Sequence, residues 1–188
     1  MEIKKLNDEQ IVYVYQTYMM EHFPDDERKP LAMIRKALNE GTYECLGLFE
    51  DAEVLGYAFF SIYGKSCLFD YLGIADEYRN KGLGSELVKY VGAYYREMDC
   101  VFGEVEDYTL AETEEERSIQ ERRYHFYLRN GLVDTGVRVE MFGVDYIVLE
   151  VPVHHRHTWE QMKAIYADHY AAMLPKPIFD QKIRVKDR

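Results

Sequence analysis

The chain has little of what would crosslink it, anchor it in lipid or hold a metal. Three cysteines, Cys45, Cys67 and Cys100, are an odd number with no C-x-x-C spacing, so neither a disulfide framework nor a zinc site is expected. Each lies in an apolar, strand-like segment, where a buried free thiol is ordinary. His154, His155 and His157 form the only histidine cluster, but they follow the last expected strand and lack a convergent scaffold. Surface or tail contacts are expected of them, and no metal. No apolar run approaches membrane-spanning length, and residues 1–10 contain no apolar stretch of the secretory kind. A cytoplasmic protein with no membrane partner is the expectation. Basic residues are also few, since 23 Lys plus Arg against 34 acids leave a net charge of -11. That balance opposes tracking a phosphate backbone, so no nucleic acid is expected as a partner, and a cationic or amine-bearing substrate suits it better.

What is there is enough for one substantial domain: 188 residues, 47% of them hydrophobic, without internal repeats or a low-complexity linker. A strand at 2–6 and an amphipathic helix at 8–20 are expected first, then a turn-rich segment at 21–30. Pro30 opens a helix at 31–39, closed by Gly41. Segments 43–49, 54–63 and 66–74 read as an antiparallel meander joined by short turns. A helix at 82–97 then carries the chain to a strand at 100–105, a crossover long enough to make the flanking strands parallel. A charged helix at 112–129 ends at Asn130-Gly131, and 135–142 with 144–151 form a closing hairpin about Gly143. Residues 158–174 have a helical pattern, and 175–188 read as a tail.

The most informative stretch joins the third meander strand to its helix. Tyr71-Leu-Gly-Ile-Ala-Asp-Glu-Tyr-Arg79-Asn-Lys-Gly82-Leu-Gly84-Ser runs from an apolar strand through a basic, glycine-punctuated loop into a helix N-terminus. Gly82 and Gly84 remove side chains that would block close approach, the first helical amides point outward, and Arg79 and Lys81 add positive charge. An anionic cofactor is the first hypothesis. The dinucleotide fingerprint would need a third glycine at Leu87, and a Walker loop ending at Gly64-Lys65-Ser66 would need one at Phe59. Both are excluded, which leaves R-x-x-G-x-G.

This loop resembles the coenzyme-A loop of the GCN5-related N-acetyltransferases (GNAT). A second segment, Arg123-Tyr-His-Phe126-Tyr127-Leu-Arg-Asn-Gly131-Leu132, is similar to the family's R-x-x-F-Y-x-x-x-G-F pattern. Asn80 stands where the family has glycine, Leu132 where it has an aromatic, and Asp76 where it commonly has proline. Asn tolerates left-handed backbone; Asp76 would cap the helix or face solvent. The resemblance implies an α/β (α+β) fold over residues 1–151, the acyl-CoA N-acyltransferase fold, with a mixed central sheet and helices on both faces. Residues 152–188 are then an extension that packs on the same domain, covers the cleft or makes a subunit contact such as a homodimer.

The resemblance implies acetyl-CoA as co-substrate. Leu72, Gly73 and Ile74 would offer backbone groups to the acetyl and pantetheine portion, and Arg79, Asn80, Lys81, Gly82, Leu83, Gly84 and Ser85 would take the pyrophosphate. Acetyl transfer to an amine needs a neutral nucleophile, so a carboxylate is the natural base, directly or through water. Glu104 is the first choice and Asp70 the competitor, while Glu106 and Asp107 suit a substrate cation. Tyr127 matches the family tyrosine whose hydroxyl lies near the coenzyme sulfur, as general acid and cofactor contact; Tyr124 is its rival one turn away. Arg123 would hold phosphate or form a helix salt bridge. His22 lies between the first helices, where the family shapes the acceptor site. No cysteine falls in either motif, which points to direct transfer in a ternary complex. The alternative is a non-catalytic acyl-CoA sensor or interaction module that keeps the loop without a productive acceptor site.

Overall fold

The computed structural model describes residues 1–25 and 27–187. Asp26, in the expected turn-rich segment, and Arg188, at the end of the expected tail, lie outside the described residues. The backbone divides into two compact units, Met1–Ile62 with Leu68–Val91, and Tyr63–Cys67 with the chain from Gly92 onward.

In the first unit, strand β1 (Glu2–Lys5) pairs antiparallel with β2 (Tyr43–Glu50), and β2 with β3 (Glu53–Tyr63). β4 (Ser66–Ile74) follows β3 in the strand order, and the Gly64-Lys65 link is so short that the two can only be antiparallel. β2 and β3 are buried almost throughout, so these strands read as continuous apolar runs rather than alternating ones. Asn7 starts the first helical segment with a capping box: its side chain accepts from the Gln10 amide while the Gln10 side chain accepts from the Asn7 amide. That segment departs from the expected single helix. It runs as α1 (Asp8–Val14), a π-helical turn (Tyr15–Met19) and α2 (Met20–His22), and both Tyr18 and Met19 are buried. α3 (Leu31–Asn39) buries Ile34, and Gly41 beyond it takes a φ of +72°. Met19, Ile34, Phe49, Tyr57 and Phe59 are fully buried members of this core. After β4 come a 3-10 turn (Asp76–Tyr78) and α4 (Leu83–Tyr94), which ends before the expected residue 97.

The second unit has the strand order β5-β7-β6-β8, with every pairing antiparallel. β5 is Cys100–Glu106; β6 (Val133–Met141) and β7 (Val144–Val151) form the expected hairpin about Phe142 and Gly143, both at positive φ. α5 (Glu114–Arg129) starts later than expected because Thr113 and Glu116 form a capping box there. α6 (Trp159–Met173) is capped in the same way by Thr158 and Gln161, and buries Met162, Tyr166, His169 and Tyr170. The expected tail is instead ordered structure. α7 (Lys176–Lys182) leads into β8 (Ile183–Val185), whose Val185 pairs with Val139 of β6. A three-residue strand has too few residues to show alternation, and β6 supplies the partner that stabilises it. No helix among the described residues is long and apolar enough to cross a membrane.

Candidate functional site

In the first unit the glycine-rich loop has the backbone its sequence demands. Asn80 and Gly82 both sit in the left-handed region, at φ +62° and +84°. Asn80 therefore holds the conformation that glycine would otherwise supply. Ser85 and Glu86 donate their amides back to the Gly82 carbonyl, which sets the first turn of α4 and leaves the amides before them directed out of the helix end. Leu83 anchors the loop by packing with Leu48 and Leu55, while Lys81 and Arg79 stay exposed. Lys81 lies over the Tyr78 ring at 4.8 Å, and Arg79 donates from Nε to the Ile74 carbonyl at 3.2 Å.

Upstream, Gly73 is a glycine for steric reasons. A Cβ there would fall 2.6 Å from the Tyr57 ring and hydroxyl and 2.8 Å from Nδ1 of His22. Gly73→Ala is expected to cost about 1–3 kcal/mol by overpacking. A lowered Tm should reveal it.

His22 is held inside the protein at both ring nitrogens. Nδ1 is 2.9 Å from the Tyr57 hydroxyl and Nε2 is 3.1 Å from Oδ1 of Asp76. Its ring lies nearly parallel to those of Tyr57 and Tyr18, at 5.9 and 6.0 Å, and the two tyrosines are themselves 6.4 Å apart, so the three rings are mutual neighbours. Burial lowers its pKa, with the Asp76 carboxylate working in the opposite direction. Asp76 neither caps the helix nor merely faces solvent: it also binds Nη2 of Arg79 at 2.7 Å. Asp70 is similarly engaged, since Lys29 reaches one oxygen at 2.5 Å and the Tyr43 hydroxyl donates to the other. Burial, then the Asp70 charge, keeps the Tyr43 phenol protonated far above its usual range.

The second unit carries the other predicted groups. Glu104 and Glu106 alternate on β5 with buried Val105 between them. Glu104 accepts from the Tyr170 hydroxyl at 2.7 Å, and Tyr166 adjoins it. Burial, followed by the Glu104 charge, raises the Tyr166 phenol well above its ordinary value. Glu106 is ion-paired with Arg123 of α5, so that arginine reaches a strand instead of pairing within its helix. Tyr127, one turn beyond Arg123, is half-buried with its ring edge-on to Phe126 at 5.2 Å. Burial raises its pKa, Arg123 opposes the shift and Glu106 adds to it. The rival Tyr124 donates to Asp134 at 3.0 Å and is pushed up to about 12, first by burial.

The partners of Glu104 are not apparent from sequence, where residues 158–174 show only a helical pattern. The i, i+4 spacing of Tyr166 and Tyr170 is the available signal. His157 also differs from expectation, for it is buried against Glu150, while His154 and His155 are exposed. Glu150, His157 and Cys100 place ligand-type atoms within 4.8 Å of one another, but the imidazole and carboxylate bind each other directly. Burial pushes the Cys100 thiol up to about 12, and it donates to the Met162 sulfur at 3.8 Å. All three cysteines are buried and none is in a disulfide.

The family model described as "Acetyltransferase (GNAT) family" matches residues 10–131. Nothing among the curated proteins matches by sequence. Among solved structures, a GNAT-family protein from Bacteroides thetaiotaomicron is similar at 16% identity and a TM-score of 0.69, covering 92% of this chain and 98% of its own. Spermidine N-acetyltransferase from Vibrio cholerae, in complex with CoA and spermine, is similar at 13% identity and a TM-score of 0.61, covering 80% and 94%. A GNAT-family acetyltransferase from Elizabethkingia anophelis with acetyl-CoA bound is similar at 14% identity and a TM-score of 0.56, covering 80% and 96%. At these identities the likeness carries the fold.

Proposed function

The chain belongs to the GNAT family of acetyltransferases, and we propose that it transfers acetyl from acetyl-CoA directly to a primary amine. The observation that carries this is the Arg79–Ser85 loop, with Asn80 and Gly82 at positive φ between β4 and the N-terminus of α4. Outward amides and two exposed cations suit a pyrophosphate. Leu72 to Ile74 supply the backbone for the pantetheine and acetyl portion, with Gly73 held free of a side chain.

Glu104 takes the amine proton, directly or through water. The neutral nitrogen attacks the thioester carbonyl carbon, the carbon–sulfur bond breaks, Tyr127 gives its proton to the departing thiolate, and the second proton that the nitrogen sheds on becoming an amide restores the Tyr127 phenol. Burial keeps that phenol protonated at neutral pH. Asp70, with an ammonium on one oxygen and a phenol on the other, is better suited to holding structure than to accepting a proton. His22, bonded at both nitrogens, supports the acceptor side instead of contacting the amine.

The acceptor class is a cation. A net charge of -11 favours its approach, and the Vibrio cholerae neighbour holds spermine. Acetyl-CoA at about 100 times its Kd should stabilise the protein by about 2.7 kcal/mol, read as a rise in Tm. CoA release over a panel of polyamines, aminoglycosides, amino acids and peptides should then show turnover with polyamines first. Stabilisation without release across the panel would leave the non-catalytic sensor; neither response would remove the acyl-CoA site itself.

A further inference from the structure

Asp76 joins two features with separate tasks in an acyl-CoA site. A single oxygen, Oδ1, takes Nη2 of Arg79 at 2.7 Å and Nε2 of His22 at 3.1 Å. One atom therefore serves both the arm of the phosphate loop and the end of the first helical segment. Beyond His22, the Tyr57 hydroxyl lies 2.9 Å from Nδ1, and both rings press on Gly73. The result is a continuous chain, Arg79–Asp76–His22–Tyr57, from an exposed guanidinium to a fully buried phenol.

The partners assign the protons along it. A carboxylate only accepts, so Nε2 of the neutral ring carries the hydrogen and Nδ1 accepts from the Tyr57 hydroxyl. The groups facing the ring are Tyr57 from β3, Asp76 and Arg79 from the segment after β4, and Tyr18 and Glu21 from its own helical segment. After burial, Asp76 and Arg79 act on the ring in opposite senses: the carboxylate favours a proton and the guanidinium opposes one.

We propose that Asp76 is a positioning residue that links occupancy of the phosphate loop to proton uptake on His22. The proposal rests on the acyl-CoA reading. A pyrophosphate bound by Arg79 cancels the guanidinium's field at the imidazole and competes for its donors, leaving the shared oxygen to His22. Both changes favour the imidazolium. A proton from solvent then bonds to Nδ1, and at that nitrogen Tyr57 changes from donor to acceptor. The ligand raises the proton affinity of His22, so the ligand binds more tightly as pH falls through the range where the ring titrates.

Dephospho-CoA is the appropriate probe, because it keeps the pyrophosphate and lacks the monoester that itself titrates near pH ~6. Calorimetric titration in buffers of different ionisation heat counts the protons. The expected result is fractional proton uptake per ligand in mildly acidic buffer, declining to none as pH rises through the range where the ring titrates. Pantetheine, which has no phosphate, should bring no uptake. His22→Gln should abolish the uptake and Asp76→Asn should at least halve it, with dephospho-CoA still bound by both. Binding to the native protein without uptake overturns the link, as does equal uptake with pantetheine or undiminished uptake in the variants. Failure of dephospho-CoA and acetyl-CoA to bind at all overturns the acyl-CoA reading instead.

Discussion

Tyr127→Phe is expected to lower kcat by about 100- to 10,000-fold, the range for losing a placed general acid, while changing acetyl-CoA affinity less than about threefold. The ring is half-buried and edge-on to Phe126, and phenylalanine preserves that packing. Only the hydroxyl is lost. The thiolate must then take its proton from water, and the transition state loses a donor that the ground state uses little. Burial holds the native phenol protonated above its ordinary range, with Glu106 reinforcing and Arg123 opposing the effect. The native kcat should therefore stay level well into alkaline pH. An unchanged kcat would remove the general-acid role. Tyr124 is a poor substitute, since its hydroxyl is committed to Asp134.

Glu104→Gln should cost about 100-fold or more in kcat/KM and flatten the acid limb of the pH profile. In the native enzyme that limb should fall as pH decreases, because protonating the carboxylate would remove the proposed base. Glutamine can still accept from Tyr170, so the expected stability change is about 1 kcal/mol. Asp70→Asn supplies the contrast. It strands the Lys29 ammonium and weakens the acceptor for a buried Tyr43 hydroxyl, so its main effect should fall on Tm. If Asp70→Asn abolishes turnover at unchanged Tm while Glu104→Gln does not, the roles are reversed. Steady-state kinetics and thermal melts on the same preparations decide between them.

What sequence reveals here is what local chemistry determines. β4 lies where its apolar run and flanking turns put it, and Asn80 takes the left-handed backbone that R-x-x-G-x-G requires at a non-glycine position. The hairpin about Gly143 follows from turn residues within a few positions, whereas the Thr113 cap that delays the start of α5 goes unread. The other missed features depend on distant partners. Tyr170 meets Glu104 across 66 residues, and His22 meets Asp76 across 54. From sequence Asp76 caps a helix or faces solvent, because nothing in its neighbourhood reveals an imidazole brought in from another element. The π turn at Tyr15–Met19 was hidden for a related reason: its apolar spacing also fits a regular helix. β8 has no pattern of its own, and exists as a strand because β6 offers it hydrogen bonds.

β8 also bears on how the protein behaves at high concentration. An exposed strand edge is a template on which other copies can polymerise, and β6 would present such a template without its small neighbour. β8 is only three residues long and carries an arginine in its centre, paired with Glu140, while Lys186 just beyond it binds Asp145 at 2.6 Å. Shortness and charge make it a poor platform for a further strand. The strand thus covers residues 139–141 of β6, with which another copy would otherwise be able to pair.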